Sequence, residues 1–158
     1  MSNITLTSGD LFASRAQTLV NATNCQGVMG AGIARAFKER FPTMFEDYQR
    51  ACEAGEHTAT QPHFWRNPGD KPPWMSYERQ SVLNIASTPH MGDTPKLSLI
   101  AVNLVWIVEN YEEVGIRSLA VPALGCGIGG GDWSLMKPLL VNFLSLIDIP
   151  VEIYEPQS

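Results

Sequence analysis

Apolar residues recur along this chain in two rhythms: short β-branched or aliphatic runs, and longer stretches with helical spacing. Asn3–Leu6 alternates weakly and predicts a first strand, with a turn at Gly9-Asp10-Leu11-Phe12. Thr18–Asn21 reads as a short buried strand followed by a loop, Asn24–Gly30. From Gly32 onward, Ile33, Ala34, Ala36, Phe37 and Phe41 keep helical spacing until Pro42 ends the run, and a second helix spans Met44 to Ala54, stopping at Gly55. A strand at His63–Arg66 sits in a proline-rich stretch marked by Pro62, Pro68, Pro72 and Pro73. Ser81–Ile85 predicts a core strand, Leu97–Tyr111 a long helix, Ser118–Leu124 a buried strand, Trp133–Ile147 a helix and Val151–Tyr154 a last strand. Strands that alternate with helices predict a mostly parallel sheet covered on both faces.

Composition narrows this picture. A chain of 158 residues fits one domain, 1–158, with a real core, and 44% hydrophobic against 17% charged residues excludes disorder. The formal net charge of −5 makes a broad grip on a nucleic-acid backbone a poor default, since that needs a basic surface. A small anionic ligand stays compatible with an acidic protein, because backbone amides at a helix N-terminus hold anions without Lys or Arg. No basic start followed by an apolar run opens the chain and no stretch is long enough to span a bilayer, so neither a signal peptide nor a membrane partner is expected. Cys25, Cys52 and Cys126 are an odd set without metal-ligand spacing, which fits a reducing cytoplasm and predicts neither a structural metal nor a cofactor.

The informative feature is positional. Two glycine-rich segments each follow an apolar strand and open a helix: Asn21-Ala22-Thr23-Asn24-Cys25-Gln26-Gly27-Val28-Met29-Gly30-Ala31-Gly32, and Pro122-Ala123-Leu124-Gly125-Cys126-Gly127-Ile128-Gly129-Gly130-Gly131. In a parallel sheet both loops lie at the carboxyl ends of strands, where ligands bind, and glycine lets main-chain N–H groups turn toward phosphate oxygens. Either loop alone is equally well read as a tight turn; two on one edge point to a shared phosphate site. There is no Gly-Lys-Ser/Thr for a triphosphate loop, and Glu53, at the distance of a dinucleotide-binding acid, falls on a helix.

These residues carry a resemblance. Leu19-Val20-Asn21-Ala22-Thr23-Asn24 and Gly27-Val28-Met29-Gly30-Ala31-Gly32-Ile33-Ala34 resemble the first loop of the macrodomain family. Met29-Gly30-Ala31-Gly32-Ile33-Ala34 followed by Phe37-Lys38-Glu39-Arg40-Phe41-Pro42 is similar to one branch of it, which holds the terminal ADP-ribose protein glycohydrolase and the macrodomain antitoxin that removes ADP-ribose from DNA. Val121–Ile128 with Trp133 resembles the second loop, and Gly9–Phe12 the early adenine-recognising turn; the likeness is least secure over Thr58–Gln80. It implies an α/β, three-layer α-β-α fold with a central mixed, mostly parallel sheet, and ADP-ribose or ADP-ribosylated protein as the ligand. It implies that Asp10 accepts from the adenine amino group with Leu11 offering a backbone N–H, that Gly30, Ala31, Gly32 and Ile33 contact the diphosphate or proximal ribose, and that Gly125, Cys126, Gly127, Ile128 and Gly129 close over it. Asn24 is the side-chain candidate at the distal ribose; Asn21 reads as a buried amide tying the loop to neighbouring backbone.

Catalysis departs from the family pattern. Where the human branch carries a lysine, this chain has Asn84-Ile85-Ala86-Ser87-Thr88, and Gly129 stands at the second-loop acid. Asp132 lies close to that place but reads equally as a helix N-cap. An ordered water held by Asn24 and oriented by Ser87 or Thr88 is the remaining route to hydrolysis. Cys25 and Cys126 read as small buried hydrophobes, His90 as a loop residue, and His57 and His63 have no constellation to join. The leading expectation is an enzyme that removes ADP-ribose from acidic side chains or deacylates O-acyl-ADP-ribose; the alternatives are a non-catalytic ADP-ribose reader and hydrolysis of ADP-ribosylated DNA, which the acidic charge counts against. The default oligomeric expectation is a monomer, and Thr58–Gln80 is read either as a lid over the distal ribose or as cover for a sheet edge.

Overall fold

A computed structural model describes residues 2–69, 79–88, 96–126 and 132–156. In chain order the elements are β1 (Ile4–Thr7), a 3-10 turn (Leu11–Ala13), β2 (Thr18–Thr23), α1 (Gly32–Arg40), α2 (Pro42–Glu53), β3 (His63–Trp65), β4 (Ser81–Ala86), α3 (Leu97–Val114), β5 (Leu119–Val121), α4 (Trp133–Leu144) and β6 (Val151–Tyr154). Six strands form one sheet in the order β1-β6-β5-β2-β4-β3, parallel throughout except for β3, which runs antiparallel to β4 at the edge. This is the mixed, mostly parallel three-layer α/β arrangement expected from the alternation of elements.

The pleat of the central strands divides the core. Along β2 and β4, Leu19 and Val82 face one side with Phe37, Phe41, Met44 and Tyr48 of α1 and α2. Val20, Leu83 and Ile85 face the other, against Ile100, Leu104 and Ile107 of α3 and Met136, Leu140 and Leu144 of α4. Each such aliphatic side chain contributes about 1.5–3 kcal/mol when fully buried. Every residue of β4 is buried, as a central strand with helices on both faces requires.

Several boundaries differ from the sequence expectation for local reasons. Pro42 ends α1 but also opens α2 as its first residue, where its missing N–H costs nothing. β5 stops at Val121 rather than Leu124, and Pro122, which follows it, has no N–H for the ladder. β2 runs two residues further than read, to Thr23, paired with Ala86 of β4. α3 extends to Val114 before Gly115, and α4 ends at Leu144, three residues early. Within Thr58–Gln80, β3 covers the edge of β4, while residues 70–78 lie outside the described residues. Among the described residues no helix is long and apolar enough to cross a membrane.

Candidate functional site

The sheet order lines up the candidate residues. Reading along the carboxyl edge, the segments that leave the strands are the Asp10 turn after β1, Tyr154 and Glu155 at the end of β6, the second glycine loop after β5, the first after β2, and Ser87-Thr88 after β4. Five adjacent strands leave four gaps of about 4.8 Å, roughly 19 Å of edge. Such an edge suits an elongated ligand, with the two glycine loops side by side at its middle.

At one end, Asp10 caps the 3-10 turn: its Oδ1 accepts from the Phe12 N–H at 3.0 Å. The residue is exposed, and its second carboxylate oxygen is left to face a ligand; Leu11 behind it is buried. Near it, Tyr154 is held in its protonated form by burial and by the adjacent Glu152 carboxylate.

The two loops differ in what they offer an anion. Ala31 precedes α1 with no side-chain cap, so the first N–H groups of that helix carry no internal partner, and Gly30, Ala31 and Gly32 are exposed. Gly32 enters the helix at φ +60°, a left-handed conformation that a side chain would strain. The N-terminus of α4 is already occupied: Asp132 accepts from the Ser134 N–H at 2.9 Å and its hydroxyl at 2.7 Å, which confirms the N-cap reading. Of the two helices that these loops open, the one whose N-terminus lacks a side-chain cap among the described residues is thus α1, whereas a carboxylate caps that of α4. In the second loop Gly125 is buried with φ +73°, and Cys126 is half-buried, while Gly127, Ile128 and Gly129 lie outside the described residues. α4 is tied to the sheet beyond the loop, where Trp133 Nε1 and Lys137 Nζ both donate to Glu155, each at 3.2 Å. Those bonds hold the Glu155 carboxyl below its usual range.

Asn24 closes the first loop on itself. Its Oδ1 accepts from the Gln26 N–H at 2.9 Å and its Nδ2 donates to Val28 O at 3.0 Å, which leaves one amide hydrogen for a ligand. Ser87 and Thr88 stand beside it because β4 pairs with β2: the Ser87 N–H reaches Thr23 O at 3.1 Å, and the Ser87 hydroxyl points to the same oxygen at 3.5 Å. Ser87 is buried and Thr88 half-exposed.

Beneath this loop lies a buried polar seam that sequence reasoning missed. Asn21, Asn84 and His63 are register partners across β2, β4 and β3. Asn21 Nδ2 donates to Asn84 Oδ1 at 3.0 Å, so Asn21 ties to a side chain rather than to backbone. Asn84 Nδ2 meets His63 Nδ1 at 2.9 Å, and His63 Nε2 meets Asp47 Oδ2 at 2.7 Å, a pattern that places the imidazole proton on Nε2. Burial opposes ionisation of Asp47, yet bonds from Arg50 and His63 outweigh it and hold the carboxyl below its usual range. His57, 2% exposed, bonds Gln61 O through Nδ1 at 2.8 Å and the Thr23 hydroxyl through Nε2 at 3.1 Å. Burial pushes its pKa down to about 4, so it is neutral near pH 7. Both histidines thus join a constellation, contrary to the expectation from sequence. Isolated polar residues inside the apolar runs, Asn21 and Asn84, were the available signal.

The site is poor in activated nucleophiles. Burial and the neighbouring Cys52 push the Cys25 thiol up to about 11, and burial with Asp132 raises Cys126, so both are protonated at neutral pH. Among the described residues no group of three His, Cys, Asp or Glu side chains is arranged to hold a metal ion. His90 lies outside the described residues. The arrangement can bind an anion through backbone amides and hold a water between hydroxyl and amide groups.

The comparisons with known proteins agree with this geometry. Residues 20–139 match the Macro domain family model. The DNA ADP-ribosyl glycohydrolase of Mycobacterium tuberculosis is 39% identical over 158 residues, 98% of this chain and 43% of its own length. The structure of Thermosipho africanus DarTG in complex with ADP-ribose superposes with a TM-score of 0.91 at 37% identity, over 99% of this chain and 42% of that one. A more local likeness links 32% of this chain, at 49% identity over 51 residues, to 26% of the ADP-ribose 1''-phosphate phosphatase of Aspergillus clavatus. The chain thus spans about two-fifths of the length of the full-length glycohydrolases it resembles. With its sheet, its two edge loops and its sequence in agreement, the chain belongs to the macro domain family.

Proposed function

We propose that this chain binds ADP-ribose along the carboxyl edge of its sheet and hydrolyses an ADP-ribosyl linkage, with ADP-ribosylated DNA as its leading substrate class. The observation that carries the reading is the uncapped N-terminus of α1 beside the second loop, on a chain similar over almost its whole length to DNA ADP-ribosyl glycohydrolases. Asp10 and Leu11 take the adenine. Gly30–Ile33 and the 125–129 segment take the diphosphate and proximal ribose. The remaining Asn24 amide hydrogen takes a distal ribose hydroxyl.

The reaction runs without a lysine adduct. A water is held at the carboxyl end of β4 by the Thr88 hydroxyl and by the lone pairs of Ser87, whose proton is directed to Thr23 O. Its oxygen bonds to the anomeric carbon of the distal ribose as the bond to the leaving group breaks. The water's proton passes to the departing group or to a diphosphate oxygen. A carboxylate linked to the anomeric carbon of the distal ribose would leave by the same scheme with less assistance, whereas an O-acyl group on a ribose hydroxyl would require the same water to attack the acyl carbonyl carbon, with the ribose oxygen leaving and taking up the water's proton.

A second reading, a non-catalytic ADP-ribose reader, is favoured by the protonated thiols and by a segment after β4, Asn84–Thr88, that holds no lysine. Incubation with ADP-ribosylated single-stranded DNA, glutamate-linked ADP-ribosylated protein and O-acetyl-ADP-ribose separates the two. Release of ADP-ribose from the DNA is expected; binding of ADP-ribose with no release from any of the three sinks the enzyme reading and leaves the reader.

A further inference from the structure

We infer that Tyr48, a residue of α2 given no ligand contact of its own above, is a positioning residue that sets the first loop's grip on the diphosphate half of the ligand. This rests on the reading of that loop as the diphosphate and distal-ribose side of the cleft. Residues 24–28 form a closed turn around the Asn24 amide, with Gln26 N–H entering it and Val28 O receiving from it. Into the centre of this turn the Tyr48 hydroxyl projects from below, 2.8 Å from Asn24 O, 3.0 Å from Asn24 Oδ1 and 3.4 Å from Val28 O. The phenolic oxygen thus lies within hydrogen-bond reach of acceptors at both ends of the turn, with Asn24 O the shortest contact. The Tyr48 side chain is fully buried, and burial keeps the phenol protonated. Another tie between α2 and this turn, Gln49 Nε2 to Gly27 O at 3.2 Å, is exposed and exchanges readily with water.

The turn's own contacts fix the orientation of the Asn24 amide. The Gln26 N–H faces Oδ1 and a carbonyl faces Nδ2, so a flip would set donor against donor at Gln26 and acceptor against acceptor at Val28. The turn leads through buried Met29 straight into the exposed amides of Gly30–Ile33, so its curvature aims them. The Asp10 turn is held separately, by its own bond to Phe12. Losing the hydroxyl should therefore weaken the diphosphate end and spare the adenine end.

The test is Tyr48→Phe, which keeps the ring and removes only the hydroxyl, titrated calorimetrically with ADP-ribose and with adenosine, which lacks both phosphates. Affinity for ADP-ribose should fall about tenfold while that for adenosine stays within about twofold. Equal losses for both ligands would mean a merely structural residue and overturn the inference, as would wild-type affinity for ADP-ribose. Should Tyr48→Phe not fold, Tyr48→Met fills the same buried space without a hydroxyl and should show the same ligand-selective loss; affinities unchanged for both ligands overturn the inference. If the wild-type protein itself fails to bind ADP-ribose, the reading of the cleft fails first, and that result is distinct from a silent Tyr48 variant.

Discussion

Asp10 spends one carboxylate oxygen on its own turn and leaves the other outward, so Asp10→Asn separates structure from recognition. The amide keeps the bond to the Phe12 N–H but offers a donor where the adenine amino group needs an acceptor. ADP-ribose affinity should drop about tenfold with little change in melting temperature, read by calorimetric titration and thermal unfolding. His57 makes a different prediction. Its pKa lies near 4 in the fold against about 6.5 in an unfolded chain, so between those values the unfolded state binds more protons. Stability should therefore be full above pH 6.5 and fall as pH drops toward 4, by roughly 1.5 kcal/mol between pH 6.5 and 5. Urea titrations across that range should show the slope, and His57→Gln should flatten it. The role of Asp10 in its turn was legible because an acid before apolar residues is a local signal. The partners of His57, His63 and Tyr48 were not, because they are set by strand register and by α2 crossing under the first loop.

Between strand and helix, Gly32 carries the clearest demand on a junction. At φ +60° a β-branched side chain is strained, so Gly32→Val should cost about 1–3 kcal/mol and abolish ADP-ribose binding by redirecting the first amides of α1. Differential scanning calorimetry with and without ligand checks both parts: a variant that loses stability yet keeps its ligand-induced shift would place the diphosphate elsewhere. The existence and type of each described element were legible from apolar spacing, since β4 and α3 present long unambiguous patterns. Its ends were less so. Pro42 serves two helices at once, and β5 is only three residues long inside the seven residues, Ser118–Leu124, that read as a strand. Nothing local announces that β3 runs antiparallel or that β5 lies between β6 and β2.

At the scale of the whole molecule, that strand order is what brings the starts of the two glycine-rich segments side by side on one edge, because β5 and β2 are neighbours. Sequence placed both loops on carboxyl edges without showing that the edges adjoin. The net charge of −5 bears on substrate choice. An acidic protein that recognises the modification rather than the backbone should bind ADP-ribosylated single-stranded DNA while leaving the unmodified strand unbound at physiological salt, by fluorescence anisotropy. Comparable affinity for the two strands would point to a basic groove that the described residues do not suggest. The most direct test of the central claim is a titration of the labelled protein with ADP-ribose, followed through its backbone amide resonances. Saturable shifts should cluster at Leu11 and Phe12, residues 24–34, Ser87 and Thr88, and Gly125 and Cys126, with the outer faces of α2 and α3 quiet. Absence of binding, or saturable shifts confined to another surface, would contradict an ADP-ribose site on the carboxyl edge of this sheet.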